Sequence, residues 1–312
     1  MLFSSFTFLL IFLPLTLILY YIIPNRTYRN VILFISSLIF YSFGEPKYIL
    51  LMLIMIAINY VFGLLIGRYR QYSKVLLILD IIINIGTLVY FKYLGFIFND
   101  ILNLNKEINI ILSIGISFYT FQILSYVIDV YRGKVEPQKN IMLFGLYVSL
   151  FPQLVAGPIV RYKDVSEQLK DREENWNNIS YGLCRFIIGL AKKIIISNNV
   201  AIVANEIFKM PLAEINFTNA WLGVIAFTLQ IYFDFGGYSD MAIGLGKMFG
   251  FDFMENFNYP YIAKSITDFW RRWHISLSTF FKDYVYIPLG GNRKGLKRQI
   301  LNLFIVWSLA WC

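Results

Sequence analysis

Apolar residues run in long blocks from one end of the chain to the other, punctuated by short polar clusters. A helix needs roughly 20 apolar residues to cross a hydrocarbon core of ~30 Å. Blocks of about that length occupy 6–23, 48–66, 75–98, 110–130 and 181–203, the last interrupted by Lys192-Lys193. The block at 31–43 is shorter, and Gly44-Glu45-Pro46 closes it, which suits a tilted or re-entrant piece paired with 48–66. The block at 142–156 is also short and stops at Gly157-Pro158. The run at 220–235 is expected to break at Gly236-Gly237 and to resume over 241–251, and a last run covers 300–311. A membrane β-barrel would show alternating segments of about ten residues. These blocks do not alternate, so helices are the remaining spanning structure. The pattern predicts an all-α, polytopic integral membrane protein with about eight spans. It reads as one membrane domain over 1–312, with 161–178 as its soluble loop and 228–293 as its densest polar region.

Composition sharpens this picture. Hydrophobic residues make up 58% of the 312 and charged residues 15%, with a mean hydropathy of +0.60. A soluble domain carries about 25% charged residues, so this chain has too few to cover a surface in water. The excess of 28 Lys+Arg over 19 Asp+Glu would suggest nucleic acid in a soluble protein. Here the basic residues sit in short loops, where they set topology and meet anionic headgroups, so membrane lipid is the partner and nucleic acid is not. The positive-inside rule puts Arg26/Arg29, Arg68/Arg70/Lys74 and Arg132/Lys134 in the cytoplasm, and the weakly charged N-terminus and 99–109 outside. The only cysteines, Cys184 and Cys312, supply neither a disulfide framework nor a metal spacing. No positive n-region or small-residue cleavage site precedes the first block, which reads as a retained span.

Ionisable and amide groups inside apolar blocks usually face a bundle interior. Asp80, Asn84, Gln122, Asp129, Arg185, Lys192, Gln230 and Asp234 are such groups. Each reads first as an interhelical hydrogen-bonding residue; as a set they allow a polar pathway. Between 228 and 293, Gly236, Gly237, Gly244, Gly246 and Gly250 permit close helix approach near Asp234, Tyr238, Ser239 and Asp240. Asp234 and Asp240 read as structural carboxylates. Ser265 with Asp268 forms an Asp version of the capping box and predicts a helix of about twenty residues. At 100° per residue, Trp270, His274, Leu277, Ser278 and Phe281 share one side of it, and Arg272 and Asp283 point away. His274 is the chain's single histidine. On spacing alone it reads first as a hydrogen-bonded core histidine and second as an acid–base group.

The wording of several stretches goes further. The run from Gln230 to Arg293, with FDFGGYSDMAIGLG and WRRWHISLS, resembles the signature region of membrane-bound O-acyltransferases of the alginate O-acetyltransferase type. The opening LFSSFTFLLIFLPL, SFYTFQILSYVIDVYRG at 117–133, FPQLVAGPIVRY at 151–162 and FIIGLAKKIIISN at 186–198 agree with it. The resemblance implies a bundle around a transmembrane tunnel and no bound cofactor. It implies a donor substrate such as acetyl-CoA or another acyl thioester, supplied from the cytoplasm. The acceptor would be a hydroxyl of an extracellular or cell-wall polysaccharide, reached directly or through a secreted partner acetyltransferase. The setting would be a bacterial cell membrane.

Two histidines serve this family, and the first matches His274. The second lies in a Trp-His-Gly after the Asn-Leu-Phe helix, here Asn302-Leu303-Phe304, and these 312 residues do not reach it. The 312 residues by themselves are therefore expected to insert but to be poorly stable and to lack transfer activity. Residues expected along the tunnel are Gln230, Asp234, Tyr238, Ser239, Asp240, Trp270, Arg271 and Ser278. An inactive remnant or scaffold is the alternative reading. A transporter or flippase is a weaker one, because the sequence shows no repeat symmetry.

Overall fold

The computed structural model describes residues 1–96, 115–154 and 157–291, with the isolated positions 98 and 295. No β-strand occurs among them. After a π-helical turn at Phe8–Phe12 come α1 (Leu13–Ile22), α2 (Arg26–Gly44), α3 (Tyr48–Arg68), α4 (Ser73–Phe96), α5 (Ile116–Tyr131), α6 (Ile141–Ser149), α7 (Phe151–Leu154) and α8 (Tyr162–Val165). Then follow α9 (Trp176–Ala191), α10 (Asn198–Phe208), α11 (Phe217–Met248), α12 (Ile266–Arg272) and α13 (Ile275–Phe280). Polar residues set many of the starts. The side chains of Asn25, Asn140, Asn175, Asn216 and Ser265 each accept a first-turn backbone N–H, at the heads of α2, α6, α9, α11 and α12. Such caps satisfy donors that a helix leaves open.

Among the described residues, four helices are long and apolar enough to cross a membrane: Tyr48–Arg68, Arg70–Gly95, Trp176–Phe208 and Phe217–Met248. Two expected interruptions are not breaks. Lys192–Ser197 is a π-helical turn that joins α9 to α10. It changes the phase of the helix so that adjacent lysines can both reach a neighbouring helix. Gly236 and Gly237 lie within α11, which runs unbroken for 32 residues; packing against α9 replaces what local propensity lacks. Conversely, α2 is longer than its apolar block, because the Asn25 cap lets the polar turn Arg26–Asn30 join the helix. The expected 99–109 loop and the 300–311 run lie outside the described residues.

Helices α9 and α11 run antiparallel with their backbones in contact. A Cβ built on Gly182 would lie 2.5 Å from the Gly244 carbonyl oxygen, and one on Gly189 would lie 2.6 Å from that of Gly237. The reverse approaches are equally close, 2.5 Å at Gly244 and 2.7 Å at Gly237. The two pairs are a heptad apart on each helix, so they fall on one stripe. Elsewhere the core is aromatic. Phe3, Phe8, Phe40, Phe151 and Phe249 are fully buried, with ring centroids such as Phe8–Phe40 and Phe40–Phe151 at 5.8 and 5.6 Å. Helix α5 is buried along nearly its whole length between α3, α4 and α6.

The basic loops gather toward particular partners. Arg70 donates to the Val130 carbonyl (3.1 Å) and Arg132 to that of Asp283. Within 161–178, Arg172 and Glu174 are not solvated: their side chains are 0% and 5% exposed. Arg172 donates to Phe249 O (2.9 Å), Asn30 Oδ1 (2.8 Å) and Tyr20 Oη (2.9 Å). Glu174 accepts from Tyr20 Oη (2.5 Å), Arg29 (2.8 Å) and Arg26. This clasp ties α1, α2 and the end of α11 to the loop that precedes α9. Burial alone would raise the Glu174 pKa, but hydrogen bonds from Tyr20 and Arg26 and the Arg172 charge hold it below the ordinary carboxylate value.

Two predictions follow from the packing and the clasp. Gly237→Ala should lower thermal stability in detergent by about 1–3 kcal/mol, since its methyl meets backbone that cannot give way. Gly86→Ala, in the interior of α4 with a Cβ that meets no described atom within 4 Å, should not lower stability and should raise it by up to about 1 kcal/mol; a loss as large as at Gly237 would disprove close packing. For the clasp, a depressed carboxylate stabilises fully above its unfolded pKa of about 4.3, and the benefit disappears as pH falls through the folded value. The stability gap between wild type and Glu174→Gln should therefore be largest near neutral pH and shrink below about pH 4.3. A gap independent of pH would show that the charge is not what the clasp uses.

Candidate functional site

The site is assembled where α11 ends and the chain folds back. Helix α11 closes at Phe249, Gly250 takes φ +82°, and Phe251 N–H returns to the Gly246 carbonyl (2.8 Å), a left-handed stop of the kind glycine allows. The segment after it is irregular until Ser265 caps α12 by accepting the Asp268 N–H (3.1 Å), as the capping box predicts. The single long helix expected from there does not form. It breaks at Trp273 and His274, and His274 takes φ +42°. Backbone bonds from outside explain the break: Asn258 N–H donates to Arg272 O (2.9 Å) and Ile275 N–H to Asn256 O (2.9 Å). They replace bonds the helix would have made, and they offset the roughly 1–2 kcal/mol of a left-handed residue. The expected common face therefore does not exist. Trp270 is 52% exposed, whereas His274 is buried.

His274 is 8% exposed. Its ring meets Phe235 edge to face, centroids 4.7 Å apart, and its Nδ1 is 3.0 Å from Asn256 Oδ1. Ser276 Oγ donates to the same oxygen (2.9 Å) and accepts from the Ile159 N–H (3.0 Å). Burial pushes the imidazole pKa down to about 4, so the ring is neutral at physiological pH and can accept a proton.

The residue after His274, Ile275, lines a cavity of about 400 Å³ together with Tyr232, Gly236, Ser239, Asp240 and Phe257 among others; His274 itself is not in the lining. The charged rim of the cavity is a network across α9 and α11. Arg185 donates to Asp240 Oδ1 (2.8 Å) and, through two nitrogens at 2.5 Å, to both oxygens of Glu255. Lys192 donates to Asp240 Oδ2 (2.6 Å), and Lys193 pairs with Asp234. A second cleft of about 420 Å³ shares Arg185 and Glu255 with the first and opens beside Asn177, Asn178 and Lys247, where α9 begins and α11 ends. Paired charges suit a low-dielectric setting, where an uncompensated ion is expensive.

The structure brings Ser239 and Asp240 to the cavity wall, where Ile275 also lies. Ser239 Oγ is buried with no partner among the described residues. Gln230 and Asp234 lie nearer the middle of α11, where Gln230 O accepts from Ser197 (3.2 Å), and neither lines the cavity. Tyr238 is turned the other way, stacked on Phe3 at 4.6 Å. Arg271 is exposed, and Ser278 Oγ approaches Trp273 O at 3.5 Å. Asn84 pairs with Asn59 (2.8 Å) and Asp129 accepts from Tyr284 (2.6 Å), as interhelical bonding predicts, whereas the fully buried side chains of Asp80 and Gln122 find no hydrogen-bond partner among the described residues. Glu255 and Asn256 went unnoticed in the sequence. They sit in an irregular stretch with no periodicity, and only the fold carries them to Arg185 and His274.

The model of the membrane-bound O-acyltransferase family matches residues 138–310. The chain is 45% identical over 320 residues to a probable alginate O-acetylase of Pseudomonas syringae pv. tomato, covering 99% of this chain and 61% of that protein. It is 39% identical over 348 residues to a peptidoglycan O-acetyltransferase of Helicobacter pylori, covering 99% and 66%. It is 33% identical over 189 residues to a teichoic acid D-alanyltransferase of Bacillus subtilis, covering 57% and 46%. The chain thus spans about three fifths of the length of the first of these relatives. With an all-helical fold, membrane-length helices and a family match over more than half its residues, this chain belongs to the membrane-bound O-acyltransferase family.

Proposed function

We propose that the protein is the membrane part of an O-acetyltransferase that acts on an extracellular or cell-wall polysaccharide. The observation that carries this reading is a buried, neutral imidazole, His274, whose chain neighbour Ile275 lines a cavity of about 400 Å³, on a chain of this family. The named relatives supply the reaction class: each transfers an acyl group, acetyl or D-alanyl, and their acceptors are polysaccharide or polymer. The donor in this reading is acetyl-CoA or another acyl thioester from the cytoplasm. It enters through the cleft beside Asn177 and Lys247, at the end of the bundle that carries Arg26, Arg29 and Arg172. Delivery to the polysaccharide is direct or through a secreted partner acetyltransferase, and the protein sits in the bacterial cell membrane with its basic loops inside.

In this reaction the acceptor oxygen attacks the thioester carbonyl carbon. The new C–O bond forms as the C–S bond breaks. The hydroxyl proton passes to an imidazole nitrogen and from there to the departing thiolate. A ring that is neutral before the step can take that proton, and the buried setting strengthens every hydrogen bond made to the developing charge.

Two measurements of acetyl transfer by the full-length protein in membranes test this. His274→Ala should reduce turnover on the order of 10²-fold or more with expression little changed; near-normal turnover would return His274 to a purely structural role. Gly236 lines the cavity, and a Cβ there meets nothing closer than Tyr232 at 3.8 Å. Gly236→Leu should therefore fill the cavity and cut transfer by roughly 10²-fold through misplaced substrate, while the melting temperature stays near wild type. Full activity of this variant would show that substrate goes elsewhere.

A further inference from the structure

The orientation of the Asn256 amide is decided by a group that can only donate. Its side-chain atom facing α13 lies 3.2 Å from the Ser276 backbone N–H. A backbone N–H cannot accept, so that atom is the carbonyl oxygen, and the amide nitrogen points away. The same oxygen is 3.0 Å from His274 Nδ1. An amide oxygen only accepts, so Nδ1 carries the proton, and in a neutral ring the lone pair is then on Nε2. Ser276 Oγ is 2.9 Å from Asn256 Oδ1 and 3.4 Å from His274 Nδ1, and Asn256 Nδ2 is buried with no partner among the described residues. Ser276 Oγ is itself anchored by the Ile159 N–H at 3.0 Å. Asn256 is fully buried, and its backbone carbonyl holds Ile275 N–H (2.9 Å) just past the left-handed turn. One residue thus holds the turn at Ile275 through its backbone and the His274 ring through its amide.

We propose that Asn256 is a positioning residue that holds His274 as the Nδ1–H tautomer and so leaves Nε2 as the atom that exchanges the proton. This rests on the reading of His274 as the acid–base group. An imidazole free in water favours the opposite tautomer, with the proton on Nε2, so the protein must supply the preference. The acceptor on Nδ1 also fixes the ring plane, as an orienting partner does for a catalytic histidine.

¹⁵N-histidine labelling of the full-length protein in lipid bilayers, with His274→Gln to identify the ring signals that belong to His274, reads its tautomer. At neutral pH the wild type should show a protonated Nδ1 and an unprotonated Nε2. Asn256→Leu should lose this preference and gain Nε2–H. Asn256→Asp keeps an acceptor in place and should retain Nδ1–H. In the full-length protein, Asn256→Leu should lower kcat on the order of 10²-fold with KM little changed, and Asn256→Asp should recover most of it. An Nε2–H ring in the wild type, or ring signals unmoved in Asn256→Leu, would overturn the proposal. Should Asn256→Leu not fold, Asn256→Ser and the unsubstituted chain carry the same spectroscopic test. A tautomer that shifts while transfer is unaffected would uphold the grip of Asn256 on the ring and remove His274 from the chemistry. The two readings therefore fail separately.

Discussion

The rest of the structure depends on how closely α9 approaches α11. Water drives apolar helices together in solution, but lipid offers no such drive, and association in a membrane relies on close van der Waals contact and polar bonds. Gly182 and Gly189 on one helix face the backbone of Gly244 and Gly237 on the other at distances that leave no room for a methyl group. That proximity is what lets Arg185 and Lys192 reach Asp240, and Lys193 reach Asp234. Separating the helices by a side chain would lengthen every one of these pairs in a medium of low dielectric. The glycine stripe and the ion pairs are therefore one device, and the cavity wall is made from it.

A second consequence concerns what kinds of polar group the interior tolerates. The charges along the cavity are matched, two cations around Asp240 and a bidentate guanidinium on Glu255. Histidine meets the same constraint differently: it is kept neutral by burial and held by amide and hydroxyl oxygen. At one end of the bundle, Arg172 and Glu174 are buried with their partners already in place. Each arrangement avoids an unpaired ion, whose desolvation would cost several kcal/mol. Asp234 and Asp240 are each paired with a cation, whereas the His274 ring is uncharged.

The break in the α12–α13 region joins fold to chemistry. A continuous helix would have put His274 on an aromatic stripe with Trp270 and Ser278. Instead, backbone bonds from Asn256 and Asn258 capture the two sides of the break, and the left-handed residue between them turns its ring inward. Among the described residues, left-handed backbone outside glycine occurs at His274 and at Tyr259.

Much was determined by the sequence itself, wherever a physical preference acts over neighbouring residues. Apolar blocks required helices and a membrane, because a polar backbone in lipid must bond within its own segment. Ser265 marked the start of α12, and Gly44 marked the stop of α2. The family wording singled out His274. What only the tertiary structure decided depends on groups far apart in the chain. Gly236-Gly237 would weaken an isolated helix, but packing on α9 carries α11 through them. Lys192-Lys193 looks like an interruption until Asp240 and Asp234 are placed opposite. Asn256 carries no signal of its own, since its meaning comes from standing 18 residues before the ring it holds. Local propensity is written residue by residue, whereas a hydrogen bond between distant segments exists only once the fold has brought donor and acceptor within 3 Å.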